Sequence, residues 1–152
     1  MDDTEKDIFC SEKIRDSIFY KTRYTMAVCD IAPVLPGHSL IIPIRHVSDP
    51  VQLMNEEVVD MFNVLKRIKP VLSKVFTKGS DSYNLTAQIG RYSGMSIPHL
   101  HMHVIPRAGN DEFQHDNNRV YDMIEHAKRI TTEEMASRVT LLKKELKRNN
   151  DE

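Results

Sequence analysis

Cysteine is scarce: Cys10 and Cys29 are the two in 152 residues, and they form neither a Cys-x-x-Cys pair nor a disulfide framework. Such usage suggests a reducing interior, the cytoplasm and by extension the nucleus. No apolar run approaches the roughly 20 residues of a membrane-spanning helix, and the acidic stretch from Asp2 to Asp7 is unlike a secretory or mitochondrial leader. A charge excess is missing too, since 21 Lys and Arg stand against 22 Asp and Glu. That balance excludes the broad basic footprint that neutralises DNA or RNA phosphates, so neither nucleic acid nor membrane is an expected partner. Repeats and low-complexity tracts are also lacking. What is present, 40% hydrophobic and 28% charged residues, is the balance of one ordinary domain over 1–152. A chain of this length buries roughly two-thirds of its unfolded surface and needs no disulfide or structural metal to fold.

Local patterns outline the elements. Residues 24–31 and 38–44 read as two strands, joined by the proline-rich turn Ala32-Pro33-Val34-Leu35-Pro36-Gly37, an antiparallel pair. Pro43 lacks an N–H, which predicts an edge or a bulge there. Asn55 is expected to cap a helix with Glu56 and Glu57 in its first turn. Its apolar face is drawn through Val58, Phe62, Leu65, Ile68, Leu72 and Val75 to about Phe76, with a kink at Pro70. The alternation from Tyr83 to Ile89 predicts a half-exposed strand with Tyr83, Leu85, Ala87 and Ile89 toward the core and Asn84, Thr86 and Gln88 away from it. Thr131 and Glu134 form a capping-box pattern for a helix to about Lys147. Between these, Pro106 to Asn118 reads as a long polar loop that moves.

Three of the seven histidines, His99, His101 and His103, alternate with Leu100, Met102 and Val104. On one strand the histidines would share a face, about 7 Å apart along the chain. Imidazole titrates near 6.5, so such a row supplies nucleophiles, proton donors or metal ligands near neutrality. Three readings follow: a solvated polar face, a metal site, or catalysis on phosphorus. The strand itself carries no acid or cysteine to complete a ligand set, so no metal site is expected. His46, His115 and His126 are read as histidines without chemistry.

The run His99-Leu100-His101-Met102-His103-Val104-Ile105 resembles the motif of the histidine triad (HIT) superfamily, and Val34-Leu35-Pro36-Gly37-His38-Ser39-Leu40 resembles its upstream Pro-Gly-His strand. Pro106-Arg107, Asp111-Glu112-Phe113 and Val120-Tyr121 make the Fhit (fragile histidine triad) branch of dinucleoside polyphosphate hydrolases the nearest fit. The resemblance implies an α+β HIT-like fold: a sheet of about five antiparallel strands, a long central helix and a C-terminal helix. The core would span about 8–107, with a C-terminal loop and helix over 108–148. It also implies a homodimer and cleavage of diadenosine tri- or tetraphosphate at the α-phosphate through a nucleotidyl-histidine, releasing AMP. His101 would be the nucleophile, His103 a donor to phosphate oxygens, and His99 and His38 orienting neighbours. Gln88 and Ser96 would meet phosphate, Asp30 the ribose hydroxyls, and Ile8, Phe9, Ile18 and Leu40 the base. No cofactor is required on this reading, although Mg²⁺ can accompany the polyphosphate.

Two residues depart from the Fhit pattern: Asp30 where that branch has Asn, and Met95 where it has Gln. Tyr121 would contact the leaving group. A HINT-like adenosine phosphoramidase and a slow nucleotide-binding signalling module remain open alternatives. Activity is expected to fall as His101 protonates below about pH 6.

Overall fold

The computed structural model describes residues 7–150. Strands β1 (Ile18–Lys21), β2 (Thr25–Cys29), β3 (Ser39–Pro43), β4 (Tyr83–Thr86) and β5 (Met102–Pro106) form one antiparallel sheet in the order β1-β2-β3-β5-β4. β2 and β3 are buried at every position, which is why they read as continuous apolar runs. Gly37 ends the turn between them at φ +91°, and a Cβ there would lie 2.8 Å from the Phe76 ring. Only glycine allows the turn to press so closely on the end of the long helix while delivering His38 to the start of β3.

Pro43 is neither on an edge strand nor at a bulge. β3 is central, but β5 pairs with it only from Ser39 to Ile41, so Pro43 lies beyond the shared ladder. β4 is short and forms one edge of the sheet, with β1 at the other. Tyr83 and Leu85 are exposed there, contrary to the expected inward set, because an edge strand has a neighbour on one side only. Of the triad segment, only Met102 onward pairs as strand; His99 and His101 lie in the approach to β5. Alternation survives nonetheless, with Leu100 and Val104 buried in the core shared by the sheet and its helices.

That core is covered by α1 (Asn55–Phe76) and α3 (Thr132–Arg148). Asn55 is the first residue of α1 rather than its cap; Glu57 accepts the Met54 N–H at 2.9 Å and pairs with Arg45 at 2.7 Å. Pro70 sits within this single continuous helix. The buried stripe runs through Met61, Val64, Leu65, Ile68, Val71 and Leu72, whereas Val58 and Phe62 are 40% and 49% exposed. Two overlapping apolar stripes exist on α1, and the packing angle selects the other one. At α3, the Thr131 hydroxyl accepts the Glu134 N–H at 3.1 Å, as the cap pattern predicts.

The segment after β5 is tied down, contrary to the expected moving loop. The Arg107 guanidinium donates to Asp111 at 2.7 and 3.0 Å, to Asn84 at 2.9 Å and to Asn117 at 3.1 Å. Phe113 and Val120 are buried with Val34, Leu35 and Ile105 in a cluster separate from the main core, to which the short helix α2 (Arg119–Met123) contributes Val120 and Met123. Polar composition hid this because the anchoring groups are themselves polar. Arg107→Ala strands a nearly buried carboxylate at Asp111, so a loss of about 3 kcal/mol is expected in urea unfolding. A loss under about 1 kcal/mol would show that the network is ornamental.

Candidate active site

Strand pairing brings the histidines together. Leu40 of β3 sits opposite His103 of β5, and His38 lies two residues before Leu40 on the same face. The Val34 N–H donates to His38 Nδ1 at 3.1 Å, so that nitrogen holds a lone pair and the neutral ring carries its proton on Nε2. His38 Nε2 then donates to His103 Nδ1 at 2.9 Å, which leaves the His103 proton on Nε2. His103 Nε2 is buried and has no hydrogen-bond partner among the described residues. A buried donor without a partner is costly unless a ligand oxygen uses it.

His101 has the complementary tautomer. Its Nδ1 lies 2.7 Å from the His99 carbonyl, which can only accept, so the neutral ring keeps a lone pair on Nε2. Its ring lies 5.1 Å from that of His103 and meets the Phe9 ring edge to face at the same separation. Burial holds the His101 pKa below its ordinary 6.5, outweighing the His99 carbonyl and Asp30. Burial also depresses His38 and His103, each to about 3. The nucleophile candidate therefore stays neutral to lower pH than a free imidazole, and the expected acid limb moves down with it.

His99 is held from two sides. Its Nε2 donates to the Pro43 carbonyl at 2.7 Å, and its Nδ1 meets Asp7 Oδ2 at 2.5 Å. The same carboxylate contacts His46 Nδ1 at 2.8 Å and accepts from Cys10 Sγ at 3.2 Å. Burial pushes the Asp7 carboxyl up, but hydrogen bonds from His99, Cys10 and the Phe9 N–H outweigh it and leave the pKa lowered. Asp7, Cys10, His46 and His99 offer four ligand atoms within 4.8 Å of one another, and such a carboxylate, thiol and imidazole set suits zinc. The acid and cysteine that the triad segment itself lacks come from the N-terminal segment. His46 likewise is not idle. No short-range pattern could have joined Asp7 to a residue 92 positions away.

A cavity of about 760 Å³ opens over this face. Its wall includes His101, His103, Asp30, Gln88 and Ser96, together with Ile8, Phe9, Ile18 and Leu40. His38 and His99 lie behind it, fully buried. Asp30 accepts the Ala32 N–H at 2.8 Å, and burial raises its pKa to about 6. Gly94, at φ +86°, lets the loop before the triad approach Gln88, since a Cβ there would lie 2.8 Å from Nε2. Met95 faces a separate pocket of about 280 Å³, and Tyr121 lies outside the cavity wall, its hydroxyl accepting from Asn84. His115 and His126 are exposed. Sequence reasoning missed the C-terminal side of the cavity, where Met135, Val139 and Lys143 of α3 contribute.

The HIT domain family model matches residues 11–110. This chain belongs to the HIT domain family. Within that family, it is 33% identical over 117 residues to the asymmetrical bis(5'-nucleosyl)-tetraphosphatase of Schizosaccharomyces pombe, covering 77% of this chain and 62% of the relative. It is 36% identical over 114 residues to the bis(5'-adenosyl)-triphosphatase of Dictyostelium discoideum, covering 74% of this chain and 73% of that one. The chain thus spans less than two-thirds of the fission-yeast relative. A histidine triad nucleotide-binding protein from Sulfolobus tokodaii superposes with a TM-score of 0.74 at 23% identity, covering 92% of this chain and 91% of its own. The five-stranded HIT fold expected from the motif is the fold observed.

Proposed function

We propose that this HIT domain hydrolyses dinucleoside polyphosphates, diadenosine tri- or tetraphosphate, at the α-phosphate and releases AMP. The observation that carries the reading is the pairing of a neutral His101 Nε2 lone pair with an unpartnered His103 Nε2–H on the wall of one cavity. His101 Nε2 attacks the α-phosphorus, the bond from phosphorus to the bridging oxygen breaks, and the remaining nucleotide leaves. His103 donates to a non-bridging oxygen as charge develops there. Water then cleaves the phosphorus–nitrogen bond, returning the imidazole and freeing AMP. The family relatives named for tri- and tetraphosphate hydrolysis support the substrate class.

The finer parts of the proposal follow from the same surfaces. Asp30 takes the ribose hydroxyls, Phe9, Ile8, Ile18 and Leu40 the base, and Gln88 and Ser96 the phosphates. The chemistry requires no metal at His101, and Mg²⁺ accompanies the polyphosphate. A second copy of the chain covers the exposed Val58, Val59 and Phe62 of α1 and the outer edge of β4, where Tyr83 and Leu85 are also exposed. Among the described residues no helix is long and apolar enough to cross a membrane, and the proposed compartment is the cytoplasm.

Diadenosine triphosphate, diadenosine tetraphosphate and an AMP-amine should compete for the purified protein, with both dinucleotides cleaved faster than the amide. Cleavage of the amide alone would replace this reading with a phosphoramidase. Asp30 adds a pH signature. Its carboxyl is ionised only above about 6, so KM should rise as pH falls below that value while kcat holds. Asp30→Asn should remove the KM inflection, and an inflection that persists in the variant would exclude Asp30 as its source.

A further inference from the structure

The cavity over the triad offers Asp30 and an apolar wall to one nucleoside, and Gln88 and Ser96 to the phosphates. A dinucleoside polyphosphate carries a second nucleoside, joined on the far side of those phosphates. The loop that runs from Gln88 to Ser96 has a second hollow behind it. Gln88, Ser96 and Ile97 line the cavity, whereas Ile89, Arg91, Met95 and Pro98 line a separate pocket of about 280 Å³. Neighbours in sequence thus face opposite hollows at both ends of the loop, and neighbouring Cα atoms are about 3.8 Å apart. A single loop is all that divides the two spaces. At Gly94, where a Cβ would lie 2.8 Å from Gln88 Nε2, the dividing wall carries no side chain.

The second pocket holds the chemistry a nucleotide requires. Ile89, Met95 and Pro98 supply an apolar surface, and a thioether packs favourably on an aromatic ring. Arg91 and Asp49 are its charged residues; a guanidinium suits phosphate and a carboxylate suits ribose hydroxyls. Arg91 makes no ion pair among the described residues, so its charge is free for a ligand. It is also held in place. The Ser93 hydroxyl donates to the Gly90 carbonyl at 2.9 Å, closing a turn with Arg91 and Tyr92 at its corners, and the guanidinium lies 5.5 Å from the centre of the Tyr92 ring.

We propose that this pocket is the subsite of the departing nucleotide, with Arg91 on its phosphates and its base against Met95. The inference deepens the hydrolase reading and rests on it. The polyphosphate crosses the loop at Gly94, and a ligand with one nucleoside leaves the second pocket empty. Arg91 therefore distinguishes dinucleotides from AMP.

Arg91→Ala should raise KM for diadenosine triphosphate about tenfold with kcat within about threefold, and should leave the affinity for AMP within about twofold. Arg91→Lys keeps the charge without the planar fork and should recover part of the loss. Because Arg91 is exposed on a turn, both variants should unfold at the parent's Tm. An unchanged KM in Arg91→Ala, or an equal loss of affinity for AMP, would overturn the proposal. A KM raised by Lys143→Ala but not by Arg91→Ala would place the second nucleoside on the α3 side of the cavity instead. Occupancy is read directly on the His101→Asn protein: the Met95 methyl resonance should move when diadenosine triphosphate is added and stay in place with AMP. A Met95 signal blind to the dinucleotide would equally sink the subsite. Absence of turnover in the parent would count against the hydrolase reading, and the Met95 signal would still report whether a dinucleotide fills the pocket.

Discussion

His101→Asn lowers the turnover of diadenosine triphosphate by at least about 10³-fold while the affinity for the nucleotide stays within about threefold. The asparagine amide can still donate to the His99 carbonyl, which accepts from His101 Nδ1 at 2.7 Å, so the local backbone keeps its partner. What disappears is the Nε2 lone pair, and no other group on the cavity wall can replace it. His103 presents a proton rather than a lone pair, because the chain of donors from Val34 through His38 sets its tautomer. His99 faces Asp7 and Pro43 behind the wall. Stopped turnover with quantified AMP release and a fluorescent-nucleotide titration separates the two effects. Turnover within tenfold of the parent would sink the covalent route, and a lost affinity would make His101 a binding group instead.

The second large effect is on stability below neutral pH. Burial holds His38 and His103 near a pKa of about 3, against an ordinary 6.5 in the unfolded chain. Between those values the unfolded state binds protons that the folded state refuses, so stability falls as pH drops through 6.5. His101, depressed in the same direction, adds to the loss. Asp30 works oppositely. Its folded pKa of about 6 lies above the unfolded value, so folding is relieved as pH falls through 6. Two depressed histidines outweigh one raised carboxyl, and a net loss of about 3 kcal/mol is expected between pH 7 and pH 5. Below about pH 4, Asp7, Glu57 and Asp111 contribute with the same sign, since hydrogen bonds hold each below its ordinary value. Urea midpoints across this range test the sum. His103→Asn should remove a large part of the slope, and a flat curve from pH 7 to pH 5 would show that the rings take up protons without strain.

Much of the site is legible from spacing and residue chemistry. Alternation puts the triad on one side of its segment and Leu100 and Val104 on the other, and that holds even where β5 has not begun. Less legible are the features that depend on which of two local options packing selects. On α1 the stripe through Val58 and Phe62 and the stripe through Met61 and Val64 are equally apolar, and only the angle of the helix on the sheet buries the second. On β4 the alternation of Tyr83 and Leu85 with Asn84 and Thr86 is that of a half-buried strand, but the strand lies at an edge. From Arg107 to Asn117, polarity reads as solvent exposure until the guanidinium is seen to gather its partners.

The sparse cysteine, the even charge and the lack of a long apolar run already exclude a disulfide scaffold, a nucleic-acid footprint and a membrane-spanning helix. The sequence by itself also determines the α+β class and the identity of the triad, because period, turn residues and imidazole chemistry act over a few neighbouring positions. Tertiary structure alone decides the proton positions on His38, His101 and His103, since each is set by a partner that folding brings close. It alone decides the pKa values, which follow from burial. It also brings Asp7, Cys10 and His46 to His99, a cluster of polar side chains whose contacts span most of the chain. Local sequence carries no record of such long-range closeness; the packing of the N-terminal segment against β3 and against the approach to β5 creates it.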